Sequence, residues 1–329
     1  MAIDRRSFLL GSLASVVFIP QLASVVHAAE VTGYPARPIR VIVAWSPGGA
    51  TDVFARIVAE ALSKELNQSV IVENRPGANG TIGQNFIASA APDGYNVIIS
   101  TNSTFAIAPH LYKDLPFKQT DFAPISLLGE SPLVLVTKKT LNVDNVEDLI
   151  EYAKHHPGEL NFSTGGSGST SHLAAELFMS VTGTEMVHIP YKGGGPAAIA
   201  VATEQVDVAF LDLGVALPLL RSDRIVGLGL TGTRRSQEEP ELKTLAEQGL
   251  GGFEVTTTFA MFAPSGIREE VGRTLSKAVS VVLSDNAIEM RLSKNTVQII
   301  NRGSADLANY VAVENQKWAK VIEERNIKI

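Results

Sequence analysis

The chain has 329 residues, 45% of them hydrophobic and 19% charged, with a formal net charge of −6. This length and composition suit one large or two medium domains with real cores, and a mildly acidic chain without a basic run is a poor nucleic-acid binder. Cysteine is absent, which excludes disulfides and a lipid-anchoring thiol.

At the N-terminus, Asp4, Arg5 and Arg6 precede an apolar run over residues 8–26 that carries no charge. Val26-His27-Ala28 then supplies small residues at the spacing a signal peptidase accepts, which predicts a signal peptide over residues 1–29 cut near Ala28/Ala29. Adjacent arginines followed by Ser7, Phe8 and Leu9 point to the twin-arginine export route and hence to the periplasm. A retained anchor is the alternative, since the run is nearly long enough to span a bilayer. Pro20, Gln21 and the cleavage site weigh against it. Cleavage removes Asp4, Arg5 and Arg6, leaving the protein one unit more negative. Any anion it binds must be held by local geometry.

Short β-branched runs then alternate with amphipathic helical patterns. Residues 39–44 read as a strand and 52–66 as a helix, with Phe54, Val58, Ala61 and Leu62 on one face and Arg56, Glu60 and Lys64 on the other. Strands at 70–72 and 97–99 flank a helix at 83–91. The alternation resumes with strands at 160–163, 186–189 and 206–210 and helices at 171–181 and 196–203. Residues 305–324 predict a long helix with Leu307, Tyr310, Val311, Trp318, Val321 and Ile322 on its apolar side. Such alternation implies α/β architecture with mostly parallel sheets. Segments 125–138 and 253–264 read as two crossings between lobes, giving residues 30–134 with 259–329 as one lobe and 135–258 as the other. Two crossing strands make a hinge, with a cleft between the lobes.

Four stretches carry candidate site residues. Trp45, Ser46, Pro47, Gly48, Gly49, Ala50, Thr51 and Asp52 join the first strand to the first helix. The glycines permit close backbone approach, and a helix start offers free N–H groups to a carboxylate. The same stretch fits an ordinary helix entry capped by Thr51 or Asp52. Ser163, Thr164, Gly165, Gly166, Ser167, Gly168, Ser169, Thr170, Ser171 and His172 form a hydroxyl-rich loop without an acid, suited to surrounding an anion with neutral donors; a plain surface loop is the alternative. The hydroxyls of Ser163, Thr164 and Thr170 are the expected donors to the anion. Tyr191, Lys192, Gly193, Gly194, Gly195 and Pro196 read chiefly as a tight turn. Asp212, just after a strand, either faces the cleft or caps the helix at 214–220.

Catalysis is not expected. A triad of Ser163 or Ser171 with His172 and Asp212 can be written, but Ser171 and His172 are neighbours that point apart on a helix. His172 reads as a donor at a helix start. Six scattered histidines give no metal spacing, and neither a phosphate-binding loop nor a full dinucleotide fingerprint is present, so no metal and no cofactor is expected.

Several strings together resemble the Bug family, the solute receptors of tripartite tricarboxylate transporters of the TctC type. Tyr34-Pro35, Pro38-Ile39, Pro47-Gly48-Gly49, Asp52 and Ala55-Arg56 match its opening. The run from Val72 through Glu73-Asn74-Arg75-Pro76-Gly77-Ala78-Asn79-Gly80 to Gly83 looks like its signature, and Pro92-Asp93-Gly94-Tyr95, Asp121-Phe122-Ala123-Pro124 and Pro190-Tyr191-Lys192-Gly193 follow in order. The resemblance implies a two-lobed periplasmic-binding-protein (Venus-flytrap) fold that captures a small organic carboxylate between its lobes and hands it to membrane permease subunits. It implies that the Trp45 and Ser163 turns grip the carboxylate, that Asn102, Ser103 and Thr104 complete the first wall, and that Asp212 is a pocket position. Trp45 stands where a smaller residue is common, Gln205 where a Gly is, and Thr256 to Phe259 where a Trp is usual. A monomer is expected. A periplasmic sensor for a signalling system is the alternative role.

Overall fold

The computed structural model describes residues 33–324 together with 327 and 328. The expected export segment, with Arg5, Arg6 and Ala28, lies outside these residues. β1 (Ile39–Val43), β2 (Val70–Asn74) and β3 (Asn96–Thr101) alternate with α1 (Ala50–Glu65) and α2 (Thr81–Ala88). A π-helical turn over Ser103–Ile107 leads into the short α3 (Ala108–Leu111), then to β4 (Phe122–Lys138), a strand of 17 residues. Next come α4 (Val146–His155), β5 (Asn161–Thr164), α5 (Thr170–Thr182), β6 (Val187–Pro190), α6 (Gly194–Ala202), β7 (Val208–Asp212), α7 (Leu213–Arg221) and β8 (Ile225–Leu230). The chain returns through β9 (Thr256–Pro264) and ends with α8 (Glu269–Leu283), α9 (Asn286–Ser293), β10 (Gln298–Arg302) and α10 (Ser304–Glu324).

The strands form one sheet in the order β2-β1-β3-β9-β4-β7-β5-β6, with β10 and β8 also on β4. Parallel pairing joins the outer triplets, β2-β1-β3 and β7-β5-β6. The crossing strands pair antiparallel. β4 belongs to both halves: Phe122 to Pro132 pair with β9, and Leu133 to Thr137 pair with β7. The partner change falls at Pro132, which has no N–H to give a ladder. Beside it, the buried Thr231 hydroxyl accepts from Leu133 N at 2.9 Å and donates to the Val255 carbonyl at 2.5 Å. One side chain thus ties both crossings together.

Burial follows the expected periodicities. α1 buries Phe54, Val58 and Leu62 and exposes Arg56, Glu60 and Lys64. Phe54 stacks on Phe259 of β9 with ring centroids 4.6 Å apart, which fastens the first helix to the return strand. α8 buries Val271, Leu275, Ala278, Val279 and Val282 in the same core, and on α10 Leu307, Val311, Trp318 and Ile322 are buried. The second half packs α6 and α7 through Ala197, Val201, Ala216 and Leu217 against Val134, Val136 and Leu211. Among the described residues, no helix is long and apolar enough to cross a membrane, and no cluster of side chains could hold a metal ion.

Candidate functional site

Turns at the carboxyl ends of β1, β3, β5, β6 and β7 enclose a cavity of about 50 Å³, room for roughly three to five water-sized groups. The first half contributes Trp45, Ser46, Pro47, Gly49, Ala50, Thr51, Thr101 and Ser103. Facing them are Gly165, Ser169, Thr170, Ser171, Gly193, Gly194, Gly195, Pro196 and Asp212, with Thr257 from the return strand. Apart from Asp212, none of the lining side chains is charged.

Three helices begin at this cavity without a side-chain cap: α7 at Asp212, and, on glycine, α1 at Gly49 and α6 at Gly193. Neither Thr51 nor Asp52 caps α1. The Asp52 carboxylate instead accepts from Gly48 N at 3.0 Å, Arg56 Nε at 3.0 Å and Asn74 Nδ2 at 2.8 Å. Asn74 Nδ2 also reaches the Trp45 carbonyl at 3.0 Å. Burial opposes the charge on Asp52, but Arg56, Gly48 and Asn74 outweigh it and hold the carboxyl below its ordinary range. Asp52 and Gly48 therefore shape the turn from outside the cavity. An uncapped helix start leaves N–H groups and the positive dipole end for an anion. The Gly193 turn, read from sequence as a plain tight turn, supplies the second such start; its φ of +125° is open to glycine alone.

The hydroxyl loop is arranged differently from its sequence reading. The Ser163 hydroxyl donates to the Ala197 carbonyl at 3.0 Å, and that of Thr164 pairs with His188 Nε2 at 2.7 Å. The Thr170 hydroxyl donates to Asn102 Oδ1 at 3.1 Å, across the two halves. These hydroxyls are engaged by the protein, so they are not the free donors expected. Ser169 caps α5, accepting from His172 N at 3.3 Å, and Ser171 Oγ accepts from Gly165 N at 3.0 Å. His172 works in both directions: its Nδ1 takes the Gly168 N–H at 3.1 Å, which leaves the proton on Nε2, 3.3 Å from the Glu176 carboxylate. Its ring stacks on His188 at 4.0 Å, and burial, then His172, lowers the His188 pKa to about 4.

Asn102 does not line the cavity. It bridges the crossing, donating to the Thr256 carbonyl at 2.9 Å and accepting from Thr258 N at 3.3 Å. Ser167 and Gly168 offer their carbonyls to the other half, to Tyr112 Oη at 3.1 Å and Asn79 Nδ2 at 2.8 Å. Thr104 donates to the Asn79 carbonyl at 3.2 Å. Asp212 occupies the N-cap position of α7, yet its side chain caps nothing. Burial raises its pKa to about 6, partly offset by the Thr257 hydroxyl and its own backbone N–H. Thr101 and Thr257 fall outside the stretches singled out in the sequence, and the Gly194-Gly195-Pro196 start reads there chiefly as a tight turn. The glycine run was the one available signal for the last of these.

Two α/β halves sharing their crossing strands, with a neutral-donor cavity at the strand ends, define the two-lobed periplasmic-binding-protein fold. The family model described as the tripartite tricarboxylate transporter family receptor matches residues 54–327, and the chain belongs to that family. It is 34% identical over 319 residues to Protein BugT of Bordetella pertussis, covering 96% of this chain and 98% of that protein. Among solved structures, R. palustris Rpa4515 with adipate superposes with a TM-score of 0.87 at 32% identity, covering 90% of this chain and 99% of that one. MatC from Rhodopseudomonas palustris with bound malate gives 0.83 at 30% identity, covering 88% and 100%.

Proposed function

We propose that this protein is an extracytoplasmic solute-binding receptor that captures a small organic carboxylate in the cavity between its lobes and delivers it to a tripartite tricarboxylate-type membrane transporter. The observation that carries this reading is the pair of uncapped helix starts at Gly49 and Gly193, one from each half, around a cavity lined by hydroxyls and glycines. Backbone N–H groups there replace the hydration shell of a carboxylate, and only a ligand touching both halves favours their approach. Adipate and malate on two relatives of the family support the ligand class. Binding leaves the ligand chemically unchanged, so the protein acts as a carrier and not as an enzyme.

The test is a thermal-shift screen of mono-, di- and tricarboxylates, aliphatic and aromatic, followed by calorimetry. A ligand that binds only the native state at a hundred times its Kd stabilises it by about 2.7 kcal/mol. Affinity should fall when the carboxylate becomes an amide and change little with ionic strength, since an enclosed site is poorly screened. A screen in which no carboxylate raises the melting temperature would sink the reading. Capture of the cognate permease subunits by the loaded receptor, and recovery of the ligand unaltered, test the transport role and the absence of turnover.

A further inference from the structure

Asp212 is the one acidic side chain lining the cavity, on the same wall as the start of α6. Its Oδ1 is shut off from solvent and has no hydrogen-bond partner, and the residue's position at the start of α7 gives its carboxylate no capping role. Oδ2 lies beside the first turn of α6, where a Cβ on Gly194 would stand 3.8 Å from it. Trp45, on the opposite wall, also has a buried indole N–H without a partner. A buried polar atom left unpaired costs about 1–3 kcal/mol, so a native site that keeps one invites a partner from the ligand.

We infer that Asp212 selects, among small carboxylates, those that carry a hydrogen-bond donor such as a hydroxyl or ammonium group, which its carboxylate receives. This rests on the carboxylate-binding reading above and narrows it. A ligand with a bare methylene at that point brings its own carboxylate charge toward Asp212 with no donor to offset the repulsion. Such a ligand binds only by drawing a proton from solution onto the pair. A ligand with a donor brings its own. The raised pKa of the carboxyl fits a group poised to take either.

The experiment uses two sets matched in size, each differing only at carbon 2: succinate, malate and aspartate, and propionate, lactate and alanine. Calorimetry at pH 7.5 should find the hydroxy or amino member of the responding set bound at least about tenfold tighter than the plain one. In Asp212→Asn, which keeps the shape and removes the charge, the plain acid should gain affinity and the amino acid lose it, so the ranking narrows or reverses. The wild-type protein gives a second reading without any variant. Binding of the plain acid should take up a proton, seen as a dependence of heat on the buffer's ionisation enthalpy, and binding of the hydroxy acid should not. Equal affinities across a set, unchanged by Asp212→Asn and without proton uptake, overturn the inference while leaving carboxylate binding intact. Failure of every carboxylate to bind overturns both.

Discussion

Ser46 Oγ donates to the carbonyl of Lys192 at 2.6 Å, joining the turn after β1 to the turn before α6 across the mouth of the cavity. Asn79 and Tyr112 make the same kind of contact, from a side chain of the first half to a carbonyl of the hydroxyl loop. Such contacts exist only when the halves are together, so they stabilise the loaded shape without touching the ligand. Ser46→Ala should therefore weaken every ligand by a similar factor, about twofold to tenfold, and leave their ranking unchanged. Stopped-flow measurement should place most of the loss in the off-rate. A change of ranking would show that Ser46 contacts the ligand directly.

Thr231 tests the crossing. Its hydroxyl satisfies Leu133 N and the Val255 carbonyl at once, and Thr231→Val keeps the volume while leaving both buried groups unpaired. A loss of about 1–3 kcal/mol in denaturant unfolding is expected. An unchanged midpoint would mean that water or a backbone shift replaces the hydroxyl.

Asp212 should also be visible in the stability of the ligand-free protein. Its folded pKa of about 6 lies above the 3.8 of an unperturbed aspartate, so the native state holds the proton longer than the unfolded chain does. Stability is then greatest below about pH 4 as far as this group is concerned, and declines as pH rises through about 6. Asp212→Asn escapes that decline. Its gain over the wild type should be nil below pH 4 and level off above pH 6 at on the order of 1–3 kcal/mol. Melting curves of both proteins from pH 3.5 to 8 check it.

His188 carries the opposite sign. Its folded pKa of about 4 lies below the 6.5 of a free histidine, so the unfolded chain takes the proton first. Its contribution is fully present above pH 6.5 and is lost as pH falls toward 4. The ring packs against both His172 and Phe162 and pairs with Thr164, with Glu176 near enough to oppose the shift in part. His188→Gln keeps a polar partner for Thr164 and should show a flatter stability profile between pH 6.5 and 4. An identical slope in both proteins would assign the acid sensitivity elsewhere.

How much of this was legible in the sequence depends on the range of the interaction. Alternation of β-branched runs with helical periodicity is local, and α1, α5 and α10 appear within a few residues of where they were expected. α8 is equally legible, since Val271, Leu275, Ala278, Val279 and Val282 repeat with helical spacing, although it is not among the elements read from the sequence above. The roles of Asp52 and Asn102 were not legible, because they are set by Arg56 and Asn74 in one case and by Thr170 and Thr258 in the other. The hydroxyl loop misled for a related reason. A serine counted as a free donor becomes a framework bond as soon as a carbonyl such as that of Ala197 comes within 3.0 Å.

β4 serves both halves without a break, paired to β9 up to Pro132 and to β7 from Leu133 onward. Any widening of the cavity must therefore bend β4 and, beside it, the stretch of chain that enters β9 through Val255, the two pinned together at Thr231. The molecule behaves as a leaf spring rather than a door on a pin. Deflection is spread over many small torsions, its restoring force is always present, and a single glycine introduced near Pro132 would soften the movement without setting the halves free.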